Sequence, residues 1–268
     1  MSSFRLKDDE SVQHAVSRIA RHEIDAMRAQ LRAGPARREA IHEARKSSKK
    51  LRAVVRLMRD AIGEKSYRRE NATLRDAVRP LAPLRDAEAL LHSLDLLAEH
   101  FAGEVRPRAF DRLRRTLRAR VRGVQRVVHP RATMRKASAC VGRVRARLAE
   151  WAIRPRGWAA IEPGLVRIYA RARAAKRLAD DDPSVEHLHE WRKRSKDLRY
   201  AIEIFEPIWS PIMKVFAYEA HELTDRLGDD HDLAQLERLV RTEHSARSRA
   251  PSSHASEAIG RHGRRAAA

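Results

Sequence analysis

The chain has 268 residues, with 57 Lys or Arg against 36 Asp or Glu, so its formal charge is +21 and its pI is about 11.2. This charge excludes a neutral surface, and an apolar content of 43% with only 5% aromatic residues favours a core of Ala, Leu, Val and Ile. The single cysteine, Cys140, excludes an internal disulfide and a cysteine-built metal site, and no apolar run approaches the roughly 20 residues of a membrane helix.

Apolar residues recur at spacings of three and four along most of the chain, which predicts helices separated by Gly and Pro. The predicted helices span about 10–33, 36–62, 64–79, 83–102, 106–128, 131–151, 163–180, 184–206, 211–227 and 230–247. The last is expected to begin after Gly228, with Asp229 or Asp230 as its N-cap. Because no alternating strand pattern is present, the predicted fold class is all-α.

The chain contains an internal repeat. Residues 41–52 (IHEARKSSKKLR) and residues 188–199 (LHEWRKRSKDLR) match at eight of twelve positions with an offset of 147. A second echo follows each copy, LAPLRD at 81–86 and LGDDHD at 227–232, with an offset of 146. These repeats predict two pseudo-symmetric helical bundles, about 10–128 and 131–247, with residues 1–9 as an N-terminal extension and 248–268 as a disordered basic tail.

The first copy carries one face of almost unrelieved positive charge. At about 100° per residue, six side chains fall within an arc of about 120°. This first stripe consists of His42, Arg45, Lys46, Lys49, Arg52 and Arg56. Leu51, Val55 and Met58 fall on the opposite side, which predicts that they face the core.

The second copy repeats this pattern. Its second stripe consists of His189, Arg192, Lys193, Lys196 and Arg199, while Glu203 takes the position of Arg56. Trp191, Leu198, Ile202 and Phe205 are expected to turn inward. Neighbouring cations on one helix face repel each other by a few tenths of a kcal/mol per pair, so a face that keeps them in two copies indicates an anionic partner. Since the first stripe is about 21 Å long, it suits an extended polyanion better than a single phosphate.

These motifs carry a family resemblance. The two copies, together with GLVRIYARAR at 164–173 and LGDDHDLAQL at 227–236, resemble the CHAD family, the conserved histidine α-helical domain. The resemblance covers about residues 8–245. It implies two four-helix bundles related by a pseudo-twofold axis, with a basic central groove or pore that binds inorganic polyphosphate.

The resemblance also implies a set of ligand-binding residues. His42 and His189 match the named histidine of the family, and the other members of both stripes match its basic positions. Tyr169 and Arg173 match residues of the preceding helix, and Arg18 occupies a comparable place in the first half. No catalytic residue, metal or cofactor is implied, so non-catalytic polyphosphate binding is the predicted function.

Two other functions remain as alternatives. A phosphate-transfer or phosphohydrolase enzyme would need a metal site, but the HExxH position for a second histidine is held by Lys46 or Lys193, and no carboxylate cluster accompanies His231 and Asp232. A nucleic-acid-binding protein agrees with the high pI, although stacking platforms and helix-turn-helix signatures are absent. The expected location is the cytoplasm, with association with polyphosphate or other storage granules as a further expectation; oligomeric state is left open.

The segment 104–149 holds much of the net charge. It contains 15 Lys or Arg and two acids, a net charge of +13 out of +21. Arg112, Arg115, Arg118 and Arg122 follow one helical stripe, and Arg143, Arg145 and Arg147 continue it. This segment is either a solvated linker or an extension of the polyanion track with secondary nucleic-acid contacts.

Overall fold

A computed structural model describes residues 4–35 and 39–249, and it confirms the all-α prediction. The helices are α1 (Val12–Ala33), α2 (Ala40–Leu57), α3 (Arg59–Ile62), α4 (Glu64–Val78), α5 (Ala82–His100), α6 (Pro107–Val128), α7 (Pro130–Arg147), α8 (Glu162–Asp181), α9 (Val185–Phe205) and α10 (Ser210–Arg249). Short 3₁₀ turns lie at Arg79–Leu81, Leu148–Glu150, Gly157–Ala160 and Glu206–Trp209. No helix in these described ranges is long and apolar enough to cross a bilayer.

Local sequence signals set several helix ends. The Ser11 hydroxyl accepts a hydrogen bond from the His14 backbone N–H at 3.2 Å at the start of α1, and Ser184 caps α9 in the same way. Gly34 ends α1 with a φ of 76°, and Gly63 separates α3 from α4 with a φ of 80°. Both glycines occupy the left-handed region, which residues with a Cβ rarely adopt.

Four helices surround the main core. α1 packs against α2 and α7, and α4 packs against the same two helices, so α1, α2, α4 and α7 form a closed ring. Leu51, Val55 and Met58 are at most 1% exposed in this core, as predicted. The ring therefore fixes α2 with its apolar face inward and the first stripe outward.

The rest of the chain adds a second layer. α9 packs against α8 and α10, while the hairpin of α5 and α6 contacts α10 through a small cluster that includes Leu94, Leu117 and Leu236. α9 also packs against α2, which brings the two repeated helices side by side. The pseudo-twofold relation and the division into two halves remain predictions.

The N-terminal segment is part of the packing. Phe4 is 1% exposed and meets the Tyr200 ring edge-on at a centroid distance of 6.3 Å. The Leu6 backbone N–H donates to the Ile204 carbonyl at 3.0 Å. The described part of the predicted extension thus ties the start of the chain to α9. The predicted disordered tail starts at 248, but Ser248 and Arg249 belong to α10; from 250 onward it lies outside the described residues.

The predicted break near Gly228 is wrong. α10 runs without interruption from Ser210 to Arg249, so Asp229 and Asp230 lie inside a helix and cap nothing. The corresponding part of the first half does break, at Arg79–Leu81, where Pro80 lacks the N–H that would continue the helix. Gly228 costs helix stability but leaves the helical hydrogen bonds possible, so it does not end α10.

One glycine sets how closely two helices approach. A Cβ on Gly164, near the start of α8, would lie 2.0 Å from the Leu57 carbonyl oxygen at the end of α2. Only a residue without a side chain allows this backbone contact. Gly164 therefore positions α8 against the helix that carries the first stripe.

Candidate anion-binding site

The two stripes meet where α2 crosses α9. The positive charge of Lys49 acts on Lys196, and the charge of Arg192 acts on both lysines. Arg45 and Arg85 also act on Lys49. We call these five residues, Arg45, Lys49, Arg85, Arg192 and Lys196, the central cluster.

The two lysines of the central cluster are desolvated cations. Lys49 is exposed at the surface, but the protein atoms around it remove part of its hydration, and this desolvation and then the charges of Arg45 and Arg192 lower its pKa to about 8. Burial and then the charges of Arg192 and Lys49 lower the pKa of Lys196 to about 7. Asp86 and Asp225 partly oppose these shifts but do not cancel them. The site therefore concentrates positive charge that an anion would stabilise.

Arg192 packs against α10 at Gly228, where the helix has no side chain. A Cβ on Gly228 would lie 2.8 Å from Arg192 Nη2, so the guanidinium lies directly against the helix at the glycine. Arg192 Nε is buried and has no hydrogen-bond partner among the described residues. Gly228 therefore does not end a helix; its lack of a side chain leaves room for the guanidinium of Arg192.

The histidine of the first half lies beside an arginine. Arg85 Nε donates a hydrogen bond to His42 Nδ1 at 3.1 Å. Because Nδ1 accepts, the neutral ring carries its proton on Nε2 and can donate from there to an anion. Burial and the charge of Arg85 lower the pKa of His42, which keeps this neutral form at physiological pH.

The histidine of the second half lies against a second histidine. The rings of His189 and His231 stack with a centroid distance of 4.3 Å and an interplanar angle of 28°. Burial and then His231 lower the pKa of His189 to about 4. Since Arg85 and His231 hold equivalent places in the second echo, each predicted histidine contacts the echo residue of its own half.

Three predicted site residues are engaged with protein acceptors. Arg52 Nε donates to Asn71 Oδ1 at 2.9 Å, and Arg56 Nη1 pairs with Asp197 Oδ1 at 2.8 Å. Arg199 is 8% exposed, and its Nε donates to Glu203 Oε1 at 2.8 Å. Arg52 joins α2 to α4 and Arg56 joins α2 to α9, whereas Arg199 pairs within α9; an anion would have to compete with these present partners.

Other predicted residues lie at the margin. Lys46 pairs with Glu43 at 3.7 Å and Lys193 with Glu190 at 2.6 Å, both on the exposed surface beside the central cluster. Arg18 pairs with Glu10 and donates to the Arg5 carbonyl at 2.7 Å, so its contacts lie at the N-terminal segment. Tyr169 and Arg173 are exposed on α8.

Sequence reasoning missed Arg85, Asp86 and His231 as members of the site. The second echo contained the signal, since it places Arg85 and Asp86 at the positions of His231 and Asp232. Only the fold shows that α5 and α10 bring these residues to the two histidines. Gly228 was missed for the same reason, because a close approach between helices is not visible along one helix.

More arginines lie beyond the central cluster. A narrow cleft where α2, α4, α8 and α9 meet is lined by Arg56, Arg59, Arg167, Arg171 and Arg194, together with Asp197. On α6, Arg112, Arg115, Arg118 and Arg122 are all exposed, as their spacing indicated. Arg145 and Arg147 instead pair with Asp25 at 3.4 Å and with Glu70 at 2.6 Å. Part of the Arg-rich segment is therefore structural.

The arrangement suits binding of phosphate oxygens. Arginine can bind two oxygens at once, lysine supplies a compact charge, and a neutral histidine donates one hydrogen bond. Among the described residues, no group of three or more His, Cys, Asp or Glu side chains could hold a metal ion. Cys140 is half-buried and packs against the core.

Comparison with known proteins gives one match. The sequence model described as the CHAD domain matches residues 12–241, which is most of the chain and includes both stripes and the second echo. No curated protein matches the sequence.

Proposed function

The chain belongs to the CHAD domain family, and from this membership we propose that it binds inorganic polyphosphate at the central cluster without catalysing a reaction. The family supports a polyphosphate-related function. The narrower assignment depends on the site itself. A protein that binds polyphosphate in this way is expected to follow its ligand in the cytoplasm, including into polyphosphate-containing storage granules.

One observation carries the proposal: α2 packs against α9, and Lys49 and Lys196, which are equivalent residues of the repeat, lie close enough there for the charge of Lys49 to lower the pKa of Lys196. Desolvating two ammonium groups beside arginines destabilises the free protein, and a fold selected for stability alone would avoid it. A polyanion threaded between α2 and α9 would neutralise both lysines at once. The repeat therefore makes sense as two halves of one binding site.

The residues of the site favour a chain without bases or sugars. Two basic helix faces border the central cluster from α2 and α9, and α5 and α10 add Arg85 and the stack of His189 on His231. Polyphosphate has no bases or sugars to accommodate, whereas single-stranded nucleic acids bind through aromatic side chains that stack on bases. No such aromatic side chain belongs to the central cluster.

The decisive variant is the double charge reversal Lys49→Glu/Lys196→Glu. We expect it to weaken binding of long-chain polyphosphate by at least about a hundredfold, because two desolvated cations are replaced by repelling carboxylates. Binding is measured by titration calorimetry at one ionic strength. Circular dichroism and thermal unfolding show whether the variant is folded.

The matched control is Arg115→Glu/Arg122→Glu on α6. It changes the net charge by the same amount, but both arginines are exposed and outside the central cluster. We expect only a small loss of affinity through the weaker overall field. Equal losses in the two double variants would overturn the proposal of a localised site.

Two further measurements separate the alternatives. Duplex DNA added as a competitor should displace polyphosphate poorly at physiological salt, whereas a nucleic-acid-binding protein would show the reverse preference. Release of phosphate from polyphosphate by substoichiometric protein with added divalent metal would favour an enzyme. Either result would replace polyphosphate binding as the assigned function.

A further inference from the structure

Large apolar side chains are exposed where α9 is followed by α10. Trp209 is 60% exposed, Val215 61% and Tyr218 62%. Ile208, Ile212 and Phe216 are also exposed, so six large apolar residues stand at the surface within eleven positions. We call these six residues the α10 patch. Contiguous apolar patches beyond a few hundred Å² are uncommon on monomeric proteins.

The packing of the first bundle explains why this surface is uncovered. α7 fills the space between α1 and α4 and closes their ring with α2. In the second layer, α8 packs chiefly against α9 and the end of α2, and α10 packs against α9 and α5. Within the described residues, no helix lies between α8 and α10 as α7 lies between α1 and α4.

The two repeated helices, α2 and α9, differ in the same way in how deeply equivalent residues are buried. Ala44 and Leu51 of α2 are 0% and 1% exposed, whereas their equivalents in α9, Trp191 and Leu198, are only half-buried. Trp158, which meets the Phe205 ring edge-on at the end of α9, is 48% exposed. The second layer thus presents apolar surface along several elements at the positions that a further helix would cover.

The chain's own tail offers little to cover this surface. Residues 250–268 contain one large aliphatic residue, Ile259, and no aromatic residue. α7, by comparison, buries Met134, Val141 and Val144 in its bundle. Residues 250–268 therefore lack the apolar content of such a covering helix.

We infer that the α10 patch is the contact surface of a homodimer, in which the same patch of a second copy covers it. Six half-exposed side chains, three of them aromatic, offer about 500–600 Å² of apolar surface. A standard interface buries about 800 Å² on each partner, so the patch and its rim are large enough for a specific contact. Trp and Tyr are the residue types that most often anchor such contacts.

The charge close to the α10 patch differs from that of the rest of the chain. Residues 200–225 contain five acids and one Lys, a net charge of −4 in a chain of +21, and two of these acids are paired outside this range, Glu206 with Arg5 and Glu203 with Arg199. Two copies that meet through this region keep their basic stripes apart, and the small like charge that the two regions share is screened by salt. An anionic membrane surface would instead be repelled here and attracted to the stripes and α6.

Sedimentation velocity of the full chain, without polyphosphate and across a wide dilution series, tests the inference. The wild-type protein should shift from monomer to dimer as its concentration rises. The variant Trp209→Glu/Phe216→Glu should raise the dimer dissociation constant by more than about tenfold, because two central apolar contacts become buried charges. Both side chains are exposed, so thermal unfolding and polyphosphate affinity should match the wild type at concentrations where the wild type is monomeric.

Val127→Glu is the control, since Val127 is 80% exposed on α6 outside the patch. It should dimerise as the wild type does. A wild-type protein that stays monomeric throughout the series overturns the inference, and so does a patch variant that dimerises like the wild type. Because dimerisation and polyphosphate binding are measured separately, failure of one does not decide the other.

Discussion

Lys196 shows how the site depends on single residues. Its ammonium group lies among Arg192, Lys49 and Arg199, and burial and these charges lower its pKa to about 7 from a usual value near 10.5. At neutral pH the group is therefore close to half protonated in the free protein. A bound phosphate favours the protonated form, so binding and protonation are coupled.

This coupling predicts a pH-dependent affinity. Below about pH 7 Lys196 is already charged and affinity for long-chain polyphosphate is highest; above pH 7 binding must take up a proton, and affinity falls by up to about tenfold per pH unit. The pKa of Lys49 is about 8, so above about pH 8 binding must also protonate Lys49 and the affinity falls more steeply. Calorimetry in buffers of different ionisation enthalpy measures both the affinity and the proton uptake.

Lys196→Arg provides the control, because arginine stays protonated throughout this range. The variant should bind with a weaker pH dependence between about pH 7 and pH 8 and with less proton uptake. If its pH profile overlays that of the wild type, the titrating group is not Lys196.

The same residue also limits stability. Because the pKa of Lys196 is lower in the folded than in the unfolded protein, the unfolded state binds more protons, and stability falls as pH is lowered from about 10 to about 7. Lys196→Met should raise the free energy of unfolding at pH 7 by about 1–2 kcal/mol after allowance for solvent screening, while weakening polyphosphate binding. Urea unfolding measures the change.

Lys65→Met, at an exposed position of α4, is the matched control and should leave both the free energy of unfolding and the affinity nearly unchanged. A Lys196→Met protein that is less stable than the wild type would contradict the desolvation argument.

Whole helices show what could be predicted from the sequence. The periodicity of α2 placed Leu51, Val55 and Met58 in the core, and the structure confirms it, because a helix face follows directly from local spacing. The same spacing turned Trp191 and Leu198 of α9 inward, but they are only half-buried. Burial needs a neighbouring helix as well as an apolar face, and the sequence of α9 does not say whether one is present.

Gly228 shows a residue whose role could not be predicted from its own helix. Along the chain a glycine followed by Asp229 and Asp230 is typical of a helix boundary, whereas in α10 it makes room for Arg192 of α9. Likewise, the contact of Arg85 with His42 arises only because α5 packs beside α2. The stripes could be predicted from one helix at a time; their partners depend on crossings between helices.

Gly228→Ala tests this interpretation of α10. Alanine should stabilise the helix interior by up to about 1 kcal/mol, but its Cβ would lie 2.8 Å from Arg192 Nη2 and displace the guanidinium. We therefore expect a thermal midpoint equal to or above the wild type, together with polyphosphate affinity reduced by about tenfold.

Gly123→Ala on α6 is the control, since no atom lies within 4 Å of its added Cβ. It should gain helix stability without loss of affinity. Unchanged affinity in Gly228→Ala would mean that Arg192 does not contact the ligand from this position.

At the scale of the whole molecule, the net charge of +21 divides into parts with different roles. The Arg-rich segment 104–149 carries most of it, yet Arg114 is paired with Asp95 at 2.8 Å and Arg147 with the buried Glu70, so the segment also holds helices together. The central cluster contains fewer charges, but α2 and α9 bring them to one place. Bulk charge attracts any polyanion, whereas a converged cluster can retain one.

The salt dependence of binding distinguishes these two contributions. Each phosphate neutralised by the protein releases condensed counterions, and the logarithm of the affinity falls against the logarithm of the salt concentration with a slope of about −0.7 per contact for a single strand. Five cations of the central cluster predict a slope of about −3.5 for polyphosphate. Lys49→Glu/Lys196→Glu should make this slope clearly shallower, whereas Arg115→Glu/Arg122→Glu should lower the affinity slightly and leave the slope unchanged. A wild-type slope several times steeper, reduced equally by both variants, would mean that the chain holds polyphosphate over its whole basic surface and that α2 and α9 have no special part in binding.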